Sequence, residues 1–164
     1  MDGSAQGKPG AFGPIMVLLP LAAFLLVLLW DWPSLAYSGP GAATADRQSA
    51  WFPLCDGPVR VTCVVDGDTI WLAGEKIRIA DINTPEVSAP ACPREARLGR
   101  EATLRLQELL NHGPFTVEPG ASGRDTDSYG RSLRVITRHG ESLGTALVAE
   151  GLAERWQGYR RNWC

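Results

Sequence analysis

The 164-residue sequence lacks several motifs on which common hydrolases depend. It has only two histidines, His112 and His139, so it contains neither a pair for two-histidine chemistry nor a histidine cluster for a metal. It has no glycine-rich phosphate loop ending in Lys-Ser or Lys-Thr, and no Gly-x-Ser-x-Gly elbow. The motifs of P-loop nucleotide triphosphatases and of serine hydrolases of the α/β type are therefore absent from the sequence.

Positive charge is scarce, and almost all of it is arginine in the second part of the chain. The formal net charge is -2 and the pI is about 5.7, so any nucleic-acid binding must come from local placement of cations. After Trp51 the only lysine is Lys76. Arginine forms bidentate contacts with phosphate that lysine cannot form. A GC-rich coding sequence explains the same bias, and both interpretations remain open.

The N-terminal part predicts a targeting element. Residues 1–10 are polar and glycine-rich and are expected to be disordered. Residues 11–30 carry no charge and are long enough to span a bilayer as a helix, which favours an uncleaved membrane anchor with the rest of the chain outside the cytoplasm. A cleaved signal segment, which would leave a periplasmic or secreted protein, and a buried core helix are the alternatives. Small-x-small patterns at 34–36 and 43–45 keep cleavage open.

Four cysteines follow the apolar segment, and none forms a Cys-x-x-Cys pair. An even number is typical of an oxidising compartment, and a structural zinc site is not indicated. Three disulfide connectivities exist, of which we favour Cys55–Cys63 with Cys92–Cys164. Four buried free thiols are the alternative.

Composition predicts a flexible linker over residues 31–50 and one folded domain over residues 51–164. Apolar β-branched runs and helical periodicity predict an α+β domain. Five short strands with an interposed helix suit a closed five-stranded β-barrel of the oligonucleotide-binding (OB) type with two to three helices. The predicted elements are strands at 59–65, 69–72, 76–82, 115–118 and 132–137, helices at 94–111 and 142–151, and one further helical turn within 152–164.

Acidic and amide side chains occur where the first predicted strands end. Asp68 follows the turn after the first strand, and Asn83 and Glu86 follow the third. If these strands lie in one curved sheet, the three side chains converge, with Arg78 a few residues upstream. Carboxylate and carbonyl oxygens suit a hard cation, and guanidinium suits a phosphate. The same residues, taken singly, are also compatible with ordinary turns and solvent-facing positions.

Four motifs in order carry a resemblance that extends over essentially all of 59–156. They are Val65-Asp66-Gly67-Asp68-Thr69; Arg78 ahead of Asn83-Thr84-Pro85-Glu86; Asp127-Ser128-Tyr129-Gly130-Arg131; and Ala146-Leu147-Val148 with Gly151-Leu152-Ala153. This pattern resembles the thermonuclease (staphylococcal nuclease-like) family. The resemblance implies an OB barrel that hydrolyses DNA and RNA phosphodiesters using Ca²⁺.

The resemblance implies a metal and water site. Asp68 matches a carboxylate ligand of Ca²⁺, Thr84 a backbone-carbonyl ligand, and Glu86 the glutamate that orients or deprotonates the attacking water. Asn83 stands where the family has a second aspartate ligand, so calcium affinity should fall and another divalent cation can replace Ca²⁺. We conjecture that Asp81 supplies the missing charge from behind the ligands.

The resemblance also implies a phosphate site. Arg78 and Arg131 match the two arginines that hold the scissile phosphate, and Tyr129 matches the tyrosine beside it. Ser128 replaces a lysine that contacts a terminal phosphate in well-known members, and Trp156 with its neighbour replaces a tyrosine. These differences concern binding of the strand more than hydrolysis.

Two functions from different classes follow. The first is an exported or membrane-anchored, metal-dependent endonuclease acting on DNA and RNA with little sequence preference, as a monomer without an obligate protein partner. The second is a catalytically inactive OB module that binds single strands, a reading that Asn83 favours. A purely structural envelope protein would explain the apolar segment and the cysteines but not the motifs.

Overall fold

The computed structural model describes residues 46–164 together with Gly3. The predicted disordered N-terminus, the apolar segment 11–30 and most of the predicted linker lie outside this part. Within it, no helix combines the length and apolar character needed to cross a membrane.

The fold contains eight strands and two helices in the described residues. Their order is β1 (Cys63–Asp66), β2 (Thr69–Leu72), β3 (Glu75–Ile79), β4 (Ile82–Asn83), α1 (Pro93–Asn111), β5 (Thr116–Pro119), β6 (Ser132–Arg138), β7 (Glu141–Ser142), α2 (Leu143–Ala149) and β8 (Glu154–Arg155). The α+β class and both helices are therefore confirmed.

The main sheet is mixed. β1, β2 and β3 form an antiparallel meander, and β3 then pairs in parallel with β6. β6 also pairs antiparallel with β5 and with β7, while β4 and β8 form a separate two-stranded sheet. The chain thus reaches the parallel partner of β3 only after α1 and β5 have been traversed.

The predicted closed barrel is wrong, because β1 and β5 are not paired with each other in the described part of the chain. The N-terminal segment, defined here as residues 46–55, lies between these two edges. Gln48 exchanges two backbone hydrogen bonds of 2.9 Å with Phe115, just before β5. Cys55 N donates to the Val64 carbonyl of β1 at 2.8 Å, and Cys55 is disulfide-bonded to Cys63. The gap is therefore bridged by a segment whose first half, residues 46–50, composition alone assigns to a linker.

The core lies between the concave face of the sheet and α1. The apolar stripe of α1 places Ala102, Leu106 and Leu110 in full burial. Phe52 of the N-terminal segment and Phe115 are also fully buried, with ring centroids 5.8 Å apart. Burying one such side chain stabilises the fold by roughly 1.5–3 kcal/mol, so the N-terminal segment is part of the core.

Three boundaries differ from prediction. The predicted strand 76–82 is divided, because a turn at residues 80–81 separates β3, which ends at Ile79, from β4, which begins at Ile82. The first strand begins only at Cys63, because Gly57 has φ +72° and Val59 and Val61 face solvent rather than a partner strand. The predicted helical turn near the C-terminus is absent from 152–164, where β8 pairs with β4 instead. Backbone N–H and C=O groups of β8 form their hydrogen bonds with β4 rather than within a helix.

Candidate active site

The turn that joins β1 to β2 sits directly against α1. A Cβ atom on Gly67 would lie 2.7 Å from Ala102 Cβ and 2.9 Å from Thr84 Cγ2. Only a residue without a side chain allows this approach. The glycine therefore brings Asp68, the next residue, to the backbone that follows β4.

Asp68 connects three parts of the site. Its carboxylate accepts hydrogen bonds from the Thr84 N–H at 3.0 Å and from the Thr69 hydroxyl at 3.1 Å. Arg78 Nη1 lies 3.1 Å from the same carboxylate, and both side chains are largely buried. The predicted neighbourhood of Asp68, Arg78 and Thr84 is thus present.

These residues line a cavity of about 30 Å³. This volume is close to the share of one water molecule in the liquid, so the cavity can hold a small ion or a water. Its lining is almost entirely polar and consists of Asp66, Asp68, Arg78, Asn83, Thr84, Pro85, Glu86, Arg131 and Arg160. All the predicted metal, water and arginine residues therefore meet there.

The oxygen atoms of this cavity suit a hard divalent cation. Burial, followed by repulsion from Asp68, raises the pKa of Asp66 to about 7, and the Asp68 N–H donates to its Oδ1 at 3.2 Å. A cation beside the two carboxylates would offset that repulsion. Within residues 46–164 no three Asp, Glu, His or Cys side chains are placed so that they could hold a metal ion by themselves. Ca²⁺, which takes six to eight oxygens, would also need amide, carbonyl and water ligands.

The surroundings of Asn83 differ from the conjecture about Asp81. Asp81 Oδ2 instead accepts a hydrogen bond of 2.6 Å from the Ser142 hydroxyl, and Asp81 does not line the small cavity. The conjecture is wrong because β3 ends at Ile79 and a turn breaks the strand alternation. The carboxylate beside Asn83 belongs to Glu154, whose Oε1 accepts from Asn83 Nδ2 at 3.1 Å.

Glu86 lies on a loop that rests on the first turns of α1. A Cβ atom on Gly99 would be 2.8 Å from the Pro85 carbonyl oxygen and 2.9 Å from that of Glu86. One turn earlier, the buried Glu95 accepts hydrogen bonds from the N–H groups of Ala91, at 2.6 Å, and Glu86, at 3.4 Å. Helix and loop are thus fitted together at the position of Glu86.

The turn after Asp127 positions the second arginine. Asp127 accepts hydrogen bonds from the Tyr129 N–H, the Arg131 N–H and Arg131 Nε, at 2.9, 2.9 and 2.7 Å. Burial opposes ionisation of Asp127, but these hydrogen bonds outweigh it and lower its pKa. The guanidinium of Arg131 lies 5.5 Å from the centre of the Tyr129 ring, which is 79% exposed and free to stack on a base.

A groove of about 200 Å³ lies beside the small cavity. Arg78, Arg131 and Arg160 line both spaces, so a strand in the groove would have a phosphate next to the cavity. Trp156 contributes an aromatic ring to the groove lining. The groove offers guanidinium groups and aromatic rings, the two features by which proteins bind single strands.

Four residues near the site received no role from the sequence. Asp127 was part of a recognised motif, so its turn with Arg131 was a signal that could have been read. Glu95 is the first acidic residue of α1 and resembles any helix-start carboxylate. Glu154 and Arg160 carry no sequence signal, because only the path of the last residues brings them to Asn83 and Glu86.

Comparison with known proteins agrees with this geometry. A family model described as "Staphylococcal nuclease homologue" matches residues 76–163. The match begins at β3, so the Asp66-Gly67-Asp68 turn precedes it.

Three proteins of Bacillus subtilis (strain 168) are similar to the chain. Endonuclease YhcR is 37% identical over 101 residues, which cover 55% of this chain and 8% of YhcR. Endonuclease YncB is 35% identical over 103 residues, covering 60% and 47% of the two proteins. SPbeta prophage-derived endonuclease YokF is 35% identical over 103 residues, covering 60% and 34%. The chain therefore spans less than half the length of each relative.

Proposed function

Because the chain belongs to the staphylococcal nuclease family, we propose that it is an endonuclease that hydrolyses phosphodiester bonds of DNA and RNA with little sequence preference. The observation that carries the proposal is the convergence of Asp68, Glu86, Arg78 and Arg131 on one polar cavity beside a groove. Phosphates are common to all strands, so recognition by guanidinium groups favours low sequence specificity. The three similar proteins carry the name endonuclease.

The proposed mechanism assigns proton transfer to Glu86 and charge stabilisation to the arginines. The Glu86 carboxylate accepts a proton from a water whose oxygen attacks phosphorus. The bond from phosphorus to the leaving ester oxygen breaks, and that oxygen takes up a proton from solvent. General-base assistance of this kind contributes about 10² to 10⁴ in rate. A guanidinium has five N–H donors, so Arg78 and Arg131 retain donors for the phosphate oxygens beside their carboxylate contacts.

A divalent cation, Ca²⁺ in the first instance, is proposed for the small cavity. Asp68, the Thr84 carbonyl and the Asn83 amide oxygen would hold it, with Asp66 beside them. When bound, the cation supplies a Lewis acid that stabilises charge on the phosphate oxygens. Because Asn83 has no charge, we expect weaker calcium binding than at a site with two aspartates.

Cleavage by the oxidised full chain tests this proposal. Single-stranded DNA and RNA are incubated with millimolar Ca²⁺ or with EDTA, using wild type, Glu86→Gln and Glu101→Gln. Glu101 is a matched control, since it lies on the surface of α1 and pairs only with Arg97. We expect cleavage that requires the cation, falls by about 10² to 10⁴ in E86Q, and is unchanged in E101Q.

The alternative function, a single-strand-binding module without catalysis, predicts a different result. Wild type and E86Q would then bind the strands equally and leave them intact with every divalent cation tested. Equal cleavage by wild type and E86Q would instead refute the role of Glu86 but would still support the proposed nuclease activity.

We also propose that the domain acts outside the cytoplasm, attached by residues 11–30 or released after cleavage. The apolar composition of 11–30 and the disulfides Cys55–Cys63 and Cys92–Cys164 support this location. Labelling of thiols in intact cells and in fractions tests it. Four reduced thiols in a cytoplasmic fraction would contradict it.

A further inference from the structure

The last residues of the chain lie across the active site. This C-terminal tail, residues 156–164, ends at the disulfide between Cys164 and Cys92, the residue that precedes α1. The side chain of Trp163 is buried, and its carbonyl accepts a hydrogen bond of 2.6 Å from Arg94. The Arg161 N–H donates to Glu154 Oε1 at 2.9 Å. On the other side of Arg160, the Trp156 N–H donates to the Asp81 carbonyl at 2.9 Å. The tail is therefore fixed on both sides of Arg160.

Arg160 stands at the junction of the two spaces of the site. It lines both the small cavity and the groove, and its Nη1 donates to Glu86 Oε1 at 2.6 Å. Arg78 and Arg131 are largely buried and held by Asp68 and Asp127, with 13% and 19% of their side chains exposed. Arg160 is 62% exposed, so it is the least confined of the three guanidinium groups.

We propose that Arg160 binds a phosphate of the nucleic-acid strand as a third guanidinium and that the Cys92–Cys164 disulfide holds it in place. A phosphate accepts two parallel N–H hydrogen bonds from a guanidinium and competes well with a half-exposed carboxylate. When a phosphate of the strand binds the Arg160 guanidinium, the ion pair between Arg160 and Glu86 breaks. The Glu86 carboxylate can then accept the proton of water. The inference rests on the proposed function, because it assigns a substrate contact within the same site.

Salt-dependent binding tests the phosphate contact without requiring cleavage. The affinity of the full chain for a fluorescent single-stranded oligonucleotide is measured in EDTA over a range of salt concentrations. The variants are Arg160→Gln, Arg160→Lys and, as matched control, Arg161→Gln. Arg161 is an equal charge on the same tail, but its guanidinium lies over the Trp163 ring, 5.3 Å from its centre.

We expect R160Q to weaken binding by about tenfold, as for loss of one charged hydrogen bond. The slope of log affinity against log salt should fall by about 0.7, the value for one phosphate contact on a single strand. R161Q should match wild type within about twofold, and R160K should retain the slope. A purely structural role of Arg160 would leave the slope unchanged.

The disulfide is tested by the double variant Cys92→Ser with Cys164→Ser, whose fold is checked by circular dichroism. It should reproduce the weaker binding and the lower slope of R160Q, and R160Q added to it should have no further effect. If this variant does not fold, R160Q alone decides the phosphate contact and intact wild type under mild reduction replaces the double variant.

Two results overturn the inference. One is wild-type affinity and slope in R160Q, and the other is tighter binding in R160Q, which would make Arg160 a block on the site. A chain that binds through Arg160 but never cleaves refutes the proposed function alone. A chain that cleaves while R160Q binds as wild type refutes the inference alone.

Discussion

Gly99→Ala is the sharpest test of how α1 positions Glu86. The added Cβ would lie 2.8 Å from the Pro85 oxygen and 2.9 Å from the Glu86 oxygen, whereas ordinary contact begins at 3.4 Å. Both neighbours are backbone atoms, so no side chain can rotate away. The loop must therefore move by about 0.5 Å, which is the difference between these distances.

The effects of this substitution on stability and on activity should differ. Alanine improves the intrinsic free energy of an interior helical position by about 1 kcal/mol, and overpacking costs about 1–3 kcal/mol. The net loss in the free energy of unfolding is therefore at most about 2 kcal/mol. A displacement of 1 Å at a catalytic group costs about 10²-fold in rate, so half of it should lower kcat about tenfold.

The assay is kcat for oligonucleotide cleavage together with urea unfolding. Gly113→Ala is the matched control, because a Cβ there meets no atom within 4 Å and the residue follows the same helix. We expect wild-type kcat in G113A. Wild-type kcat in a folded G99A would refute the argument that α1 sets the position of Glu86.

Two further predictions concern stability. In Asp127→Asn the free energy of unfolding should be lower than in wild type at about pH 6, because the lowered pKa of Asp127 reflects stabilising hydrogen bonds to Arg131. This difference in the free energy of unfolding is fully present above the ordinary pKa of 3.8 and is lost as the pH falls through the lowered pKa of Asp127. Urea unfolding that showed a constant difference down to about pH 2 would contradict this prediction. Removing Cys92–Cys164, with a sequence separation of 72, should cost about 4 kcal/mol, and removing Cys55–Cys63, with a separation of 8, about 2.5 kcal/mol. Urea unfolding of the two Cys→Ser double variants checks the order, and an equal or reversed loss would show that loop length does not govern it.

Local patterns predicted the elements that have their own chemistry. The helix Pro93–Asn111 was predicted to within one residue, because the apolar stripe and the Gly113-Pro114 stop agree. Pro93, which the sequence analysis leaves outside the helix, is its first residue. Ser142 was predicted to begin the second helix, and its hydroxyl accepts the Gly144 N–H at 3.0 Å. The predicted metal, water and arginine residues also meet at one cavity, and Tyr129 lines the groove beside it.

The features that the sequence could not predict depend on distant pairing. The edges of β1 and β5 are bridged by residues 46–55. Residues 46–50 of this segment were assigned to a linker, because backbone hydrogen bonds have no residue signature. The path of the C-terminal tail also depends on pairing with distant residues. The contact of Arg160 with Glu86 and the contact of Glu154 with Asn83 depend on the β4–β8 pairing, which has no signature in the sequence. The Cys92–Cys164 disulfide, which also holds the tail, is one of the two pairings that the sequence analysis favours.

The N-terminal segment has a consequence for association between molecules. β1 and β5 are the outer strands of the main sheet, and unpaired strand edges are where sheets of different molecules join in aggregates. The segment covers part of both edges, and its release would expose them together with the cavity left by Phe52. The disulfide Cys55–Cys63 links the C-terminal end of the N-terminal segment to β1. Its reduction should therefore favour edge-to-edge aggregation before the rest of the domain unfolds.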